Sequence, residues 1–124
     1  MLAQCEKRGV PIDDFARAHP VVLHAPLSAV LARERFGIDD PEILSAIEKH
    51  TLGDARMSDL DCIVYLADSL EPGRSFEVRA ALWDLALRDL RGGMRAAIEN
   101  GIEHLRRGGG EVAPKTLAAL ESFR

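Results

Sequence analysis

Aromatic side chains are scarce in these 124 residues, which hold one Trp, one Tyr and four Phe. Trp83, Tyr65 and the phenylalanines are also scattered, so neighbours in sequence make no stacking platform for single-stranded nucleic acid. Basic residues are outnumbered, 16 Lys and Arg against 20 Asp and Glu, and no basic run is longer than Arg106-Arg107. Without a basic footprint, nucleic acid is not an expected partner. Only two cysteines occur, Cys5 and Cys62; their wide spacing suits neither a zinc site nor a disulfide framework, and they read as buried or idle thiols of a reduced compartment. No apolar run approaches the ~20 residues that cross a bilayer. The amino end, MLAQCEKRGV, is charged from Glu6 onward and does not resemble a secretory leader. These absences lead to the expectation of a cytoplasmic protein with no membrane partner.

Apolar residues make up 47% of the chain and charged ones 29%, enough for one globular domain with a single core. Apolar positions recur at helical spacing almost throughout, while strand-like alternation is missing, which predicts an all-α fold. Gly9 closes a short helical end over Met1 to Arg8, and Asp13 to Ala18 gives a brief turn before His19-Pro20. A longer helix is predicted from about Ala25 to Phe36, with Gly37 at its end and His24 just before it. Asp40 followed by Pro41 announces the next, with an inward stripe of Ile43, Ala46, Ile47 and His50. Ser58 and Asp61 form a capping box for a helix to about Leu70, expected to bury Leu60, Ile63, Val64 and Ala67. Val78, Ala81, Leu82 and Leu85 mark a further stripe; Met94, Ala97, Ile98, Ile102 and Leu105 mark another. Pro114 opens a last short helix.

Three polar groups stand where helical packing favours apolar ones: His24 at a helix entrance, His50 on an inward face, and Asp68 at the edge of another. Imidazole and carboxylate together suit iron, manganese or zinc, and helix ends can converge on an ion without a dedicated loop. Taken singly, an inward histidine is more often a hydrogen-bonded core residue, and the three lie too far apart for a local metal motif. His19 and His104 read as solvated.

The wording around the three decides the matter. LHAPLSAVLARERFGIDDPEILSAIEKHTLG followed by MSDLDCIVYLADSLEPGR resembles consecutive blocks of the YqeK-type HD phosphohydrolases, a family of dinucleoside tetraphosphate hydrolases. The likeness runs from LAQCEKRGVPIDDFARAHP to VAPKTLAAL. It implies a helical HD-type bundle, with residues 1–124 forming a single partial domain that lacks the family's N-terminal helices. It implies a two-metal site, commonly iron, ligated by an early His, a His-Asp pair, two later histidines and a final Asp. Carried over by position, the later ligands fall on His24, His50 and Asp68, and Arg74 matches the arginine that ends the family's LADxxEPxR block; Thr51 and, without a clear family match, Arg56 are further candidates for the substrate's phosphates. The early ligands would lie before Met1, since no His-Asp dipeptide occurs here. Ala25, Leu52 and Asp54 also depart from the family's pattern.

The resemblance thus implies a hydrolase of diadenosine tetraphosphate, yielding ADP and impaired or inactive in this chain. A noncatalytic helical interaction module, and an HD hydrolase of another nucleotide, are the competing readings. A homo-oligomer is expected in either case, because a missing set of helices would leave an apolar groove.

Overall fold

Capping chemistry sets most of the helix boundaries. The computed structural model describes residues 1–124 and contains eight α-helices, one 3₁₀ turn and no strand. The elements are α1 (Leu2–Lys7), α2 (Asp14–Ala18), the 3₁₀ turn (Pro20–Leu23), α3 (His24–Phe36), α4 (Pro41–Lys49), α5 (Asp59–Leu70), α6 (Arg79–Arg88), α7 (Leu90–Arg107) and α8 (Pro114–Ser122). Side chains of Asp13, Asp40, Ser58 and Asp89 accept backbone N–H groups at the starts of α2, α4, α5 and α7. Each satisfies a donor that the helix itself leaves free. Pro41 and Pro114 occupy first-turn positions, where a missing N–H does no harm. Gly37 ends α3 in the left-handed region at φ 66°, a conformation that side chains with a Cβ disfavour.

Packing builds two apolar clusters. Cys5, Val10, Ala16, Leu23 and Leu27 join α1, α2, the 3₁₀ turn and α3. The larger one joins α5, α7 and α8 through residues including Leu66, Leu70, Met94, Ile98 and Leu120. Leu70, Met94 and Ile98 are almost wholly buried, each stabilising the fold by about 1.5–3 kcal/mol relative to exposure. The helices α3, α4, α5 and α7 pack in succession, and α6 lies against α7. At Gly93, α7 comes so close to α6 that an added Cβ would stand 2.6 Å from the Ala86 Cα.

The all-α expectation is met, and the two cysteines are buried free thiols. The rotation of some helices differs from the apolar pattern. On α5 the buried residues are Asp61, Cys62, Tyr65, Leu66 and Leu70, whereas Ile63 is 52% exposed and Leu60 and Ala67 are also on the outside. The cause is Asp61, which is drawn inward by its capping box and by partners on α4, turning the neighbouring stripe outward. Ile43 and Leu105 are likewise exposed, and α6, which begins only at Arg79, has no fully buried residue. No helix is long and apolar enough to cross a membrane.

Candidate functional site

His24 is the first residue of α3 rather than lying ahead of it, and its ring is oriented by the preceding 3₁₀ turn: Nδ1 donates to the Val21 carbonyl at 2.7 Å. His50 caps the C-terminus of α4, and its Nδ1 donates to the Ile47 carbonyl at 2.6 Å. A carbonyl only accepts, so both Nδ1 atoms carry hydrogen, and each ring in its neutral form presents a bare Nε2. Those two Nε2 atoms face each other at 3.3 Å, with the rings edge-on at 5.1 Å between centroids. The Thr51 hydroxyl, 2.9 Å away, donates to Nε2 of His24. Two lone pairs at such a distance repel unless a proton or a cation stands between them.

The donor set fits a divalent metal. Carbonyl-bound Nδ1 atoms are the usual outer support of metal-ligating histidines, fixing the tautomer and the ring plane. Two nitrogens bound to one ion at roughly 2.0–2.1 Å with a tetrahedral angle stand about 3.3 Å apart. Asp68 is placed differently. Its carboxylate lies on the wall of the same cavity but pairs with the Arg74 guanidinium at 3.6 Å, and no three His, Cys, Asp or Glu groups gather closely enough to hold an ion as they stand. Of the three residues expected to converge, the structure brings the two imidazoles together and leaves the Asp68 carboxylate paired with Arg74.

The cavity they share has a volume of about 710 Å³. Thr51 and Arg74 line it, as does Tyr65, whose hydroxyl is pushed up to about 12 by burial and, to a lesser degree, by Asp68. Arg56 stands elsewhere: it lines a separate recess with Lys49, Ser58 and Asp61. From α7 the lining includes Asn100, Gly101, His104 and Arg107. His104 was expected to be solvated, and it is exposed, but into this cavity. His19 is a surface residue, ion-paired to Glu111 at 3.1 Å. The helical spacing of Asn100 and His104, four residues apart, was the one signal that joined them.

Asp61 holds the histidine loop from beneath. Its Oδ2 accepts from the Ser58 backbone N–H at 2.9 Å, the Ser45 hydroxyl at 3.1 Å and the Lys49 ammonium at 3.4 Å. Lys49 also donates to the Arg56 carbonyl at 2.8 Å, so the segment that begins with His50 is tied down at both ends.

No protein-family model matches the chain. It is 39% identical over 102 residues to a symmetrical bis(5'-nucleosyl)-tetraphosphatase of Halalkalibacterium halodurans, an alignment that takes in 82% of this chain and 54% of the relative. A Bacillus subtilis protein of the same description is 35% identical over 98 residues, 79% of this chain and 53% of its own. The chain therefore spans about half the length of the curated relatives it matches. A solved structure from Clostridium acetobutylicum, described as a predicted HD superfamily hydrolase involved in NAD metabolism, superposes with a TM-score of 0.94 at 33% identity, covering 98% of this chain and 65% of that one.

Proposed function

Because the chain belongs with the HD-fold homologues of the symmetrical bis(5'-nucleosyl)-tetraphosphatases, we propose that it carries part of the active site of a metal-dependent phosphohydrolase. Its substrate is a dinucleoside tetraphosphate in the cytoplasm, diadenosine tetraphosphate by likeness, which water splits at the midpoint into two nucleoside diphosphates. The observation that carries this reading is the pair of bare Nε2 atoms 3.3 Å apart. His24 and His50 would hold a divalent ion, iron by family likeness, with manganese and zinc as the other candidates, and Asp68 would be the third ligand. When bound, such an ion makes water a better nucleophile and neutralises charge gathering on the phosphoryl oxygens.

The remaining residues bind and orient. Arg74 holds Asp68 across a pair in which both side chains are about half exposed, a contact of small energy that a phosphate can displace. Its planar fork then meets phosphate oxygens bidentately. The Thr51 hydroxyl, now donating to His24, can turn the same hydrogen to a phosphate oxygen.

In this reading residues 1–124 are a single partial HD-type domain. They contain no His-Asp dipeptide and offer at most three protein ligands, so the chain alone binds its ion loosely and hydrolyses slowly or not at all. The test is a melting curve with and without Mn²⁺ or Fe²⁺. An ion at a hundredfold excess over its dissociation constant stabilises the native state by about 2.7 kcal/mol, and His50→Ala should abolish the shift. No shift in the unaltered chain overturns the metal assignment. A panel of dinucleoside polyphosphates, nucleoside monophosphates and cyclic nucleotides ranks the substrates of any active form.

A second reading, a noncatalytic helical module that self-associates, is favoured by apolar side chains left outside the bundle, Ile63 at 52% and Leu87 at 74% exposure. Light scattering that shows a monomer at high concentration removes it.

A further inference from the structure

The face that α7 turns to the cavity differs from its outer faces. Outside, Arg95 pairs with Glu99 one turn away at 3.2 Å, and Arg107, which also lines the cavity, is engaged by Glu103. On the cavity wall stand Asn100, Gly101 and His104, and neither the Asn100 carboxamide nor the His104 imidazole has a hydrogen-bond partner within the protein. Gly101 answers no packing need, because a Cβ added there would meet nothing within 4 Å. A glycine inside a helix is unfavourable without such a reason. Between two unspent polar groups, bare backbone therefore faces open space.

A flat ring with a hydrogen-bonding edge matches that surface. A carboxamide offers a donor beside an acceptor, the pair that reads N6 and N7 of adenine, whereas guanine shows two acceptors on the same edge. The imidazole face is a stacking surface for the ring. The cavity's volume of about 710 Å³ lies within the roughly 300–1,000 Å³ of small-molecule sites. His24, His50 and Arg74 line the same cavity as this face of α7, so one nucleotide can meet both. Resting on the reading that the cavity takes a nucleotide, we propose that Asn100, Gly101 and His104 form the seat of its base and select adenine over guanine.

The test is calorimetric titration of the 124-residue chain with ADP, GDP and inorganic pyrophosphate. The unaltered chain should bind ADP about tenfold more tightly than GDP, within the discrimination of one bidentate base contact. Gly101→Leu fills the open space with a better helix former, so its melting temperature should not fall, while ADP affinity drops at least about tenfold. Its pyrophosphate affinity should stay unchanged. Asn100→Ala should bring ADP and GDP to near-equal affinity, and His104→Ala should weaken both. A folded Gly101→Leu variant that binds ADP as tightly as the unaltered chain overturns the base seat, as does equal affinity for ADP and GDP before any substitution. Pyrophosphate binding without ADP discrimination removes the seat and leaves the phosphate reading standing, whereas no binding of ADP or pyrophosphate refutes the nucleotide reading itself.

Discussion

Removing the Asp61 carboxylate should destabilise the chain by about 3 kcal/mol, a figure assembled from its surroundings. The side chain is 1% exposed, and Oδ2 accepts three hydrogen bonds, from Ser58, Ser45 and Lys49. Truncation to alanine deletes the return half of the α5 capping box, about 1 kcal/mol. It also strands the Ser45 hydroxyl and takes from Lys49 a charge-assisted bond, each worth about 1.5–3 kcal/mol. Against this stands relief of the buried ion's own desolvation, which is appreciable because Oδ1 has no partner at all. The sum is therefore smaller than its parts. For a chain of this length about 4 °C of melting temperature accompanies each kcal/mol, so the variant should melt about 12 °C lower.

Urea unfolding followed by helical circular dichroism measures the loss, and an unchanged slope shows that the native state has stayed compact. Asp61→Asn separates shape from charge. Its oxygen can still accept from Ser58 and Ser45, but its NH₂ falls where Oδ1 has no partner, so it should lose less than the alanine variant, about 1–2 kcal/mol. An alanine variant that loses under about 1 kcal/mol would refute the reasoning, because Ser45 and Lys49 would then be satisfied by water and the carboxylate would tie nothing. The same truncation should shrink the metal-induced melting shift, since Lys49 precedes His50 and straps the loop to the Arg56 carbonyl.

Gly93→Ala drives a Cβ to 2.6 Å from the Ala86 Cα; it should lower stability by about 1–3 kcal/mol through overpacking, while Gly101→Ala, which meets open space, should not, and equal melting of the two would refute the close α6–α7 approach. Tyr65 holds its phenolic proton more tightly in the fold, at about 12 against an ordinary value of 10.0. Its contribution is fully present below pH 10 and is lost as pH rises through 12, by about 2–3 kcal/mol; Tyr65→Phe should flatten that alkaline limb in urea titrations, and superimposable limbs would count against it. Arg74→Ala removes only half-exposed ion pairs to Asp68 and Glu71, so stability should change by less than about 0.5 kcal/mol while pyrophosphate affinity falls. Unchanged affinity would take Arg74 out of the site.

Helix ends were legible in the sequence because caps are local: Asp40-Pro41 and the Ser58–Asp61 box announce α4 and α5 within a residue of where they begin. Helix rotation was less so. Two neighbouring stripes of α5 are both apolar, one through Leu60, Ile63 and Ala67 and the other through Cys62, Tyr65 and Leu66, and periodicity cannot rank them. The deciding vote belongs to Asp61, whose partners Ser45 and Lys49 lie on another helix. The histidine pair shows the same limit. His24 and His50 stand out as polar residues in helical positions that favour apolar ones, yet nothing local says that their Nε2 atoms meet or that backbone carbonyls strip those atoms of hydrogen. Asn100 and His104 were harder still, because a polar pair one turn apart reads identically whether it faces bulk water or a cavity. What separates the two cases is that neither Asn100 nor His104 has a partner within the folded chain, whereas Arg95 pairs with Glu99 and the cavity-lining Arg107 with Glu103. A polar group left unpaired on a wall that also carries an unneeded glycine is therefore a stronger sign of a ligand than the residue types are, and it becomes visible only after the helices have packed.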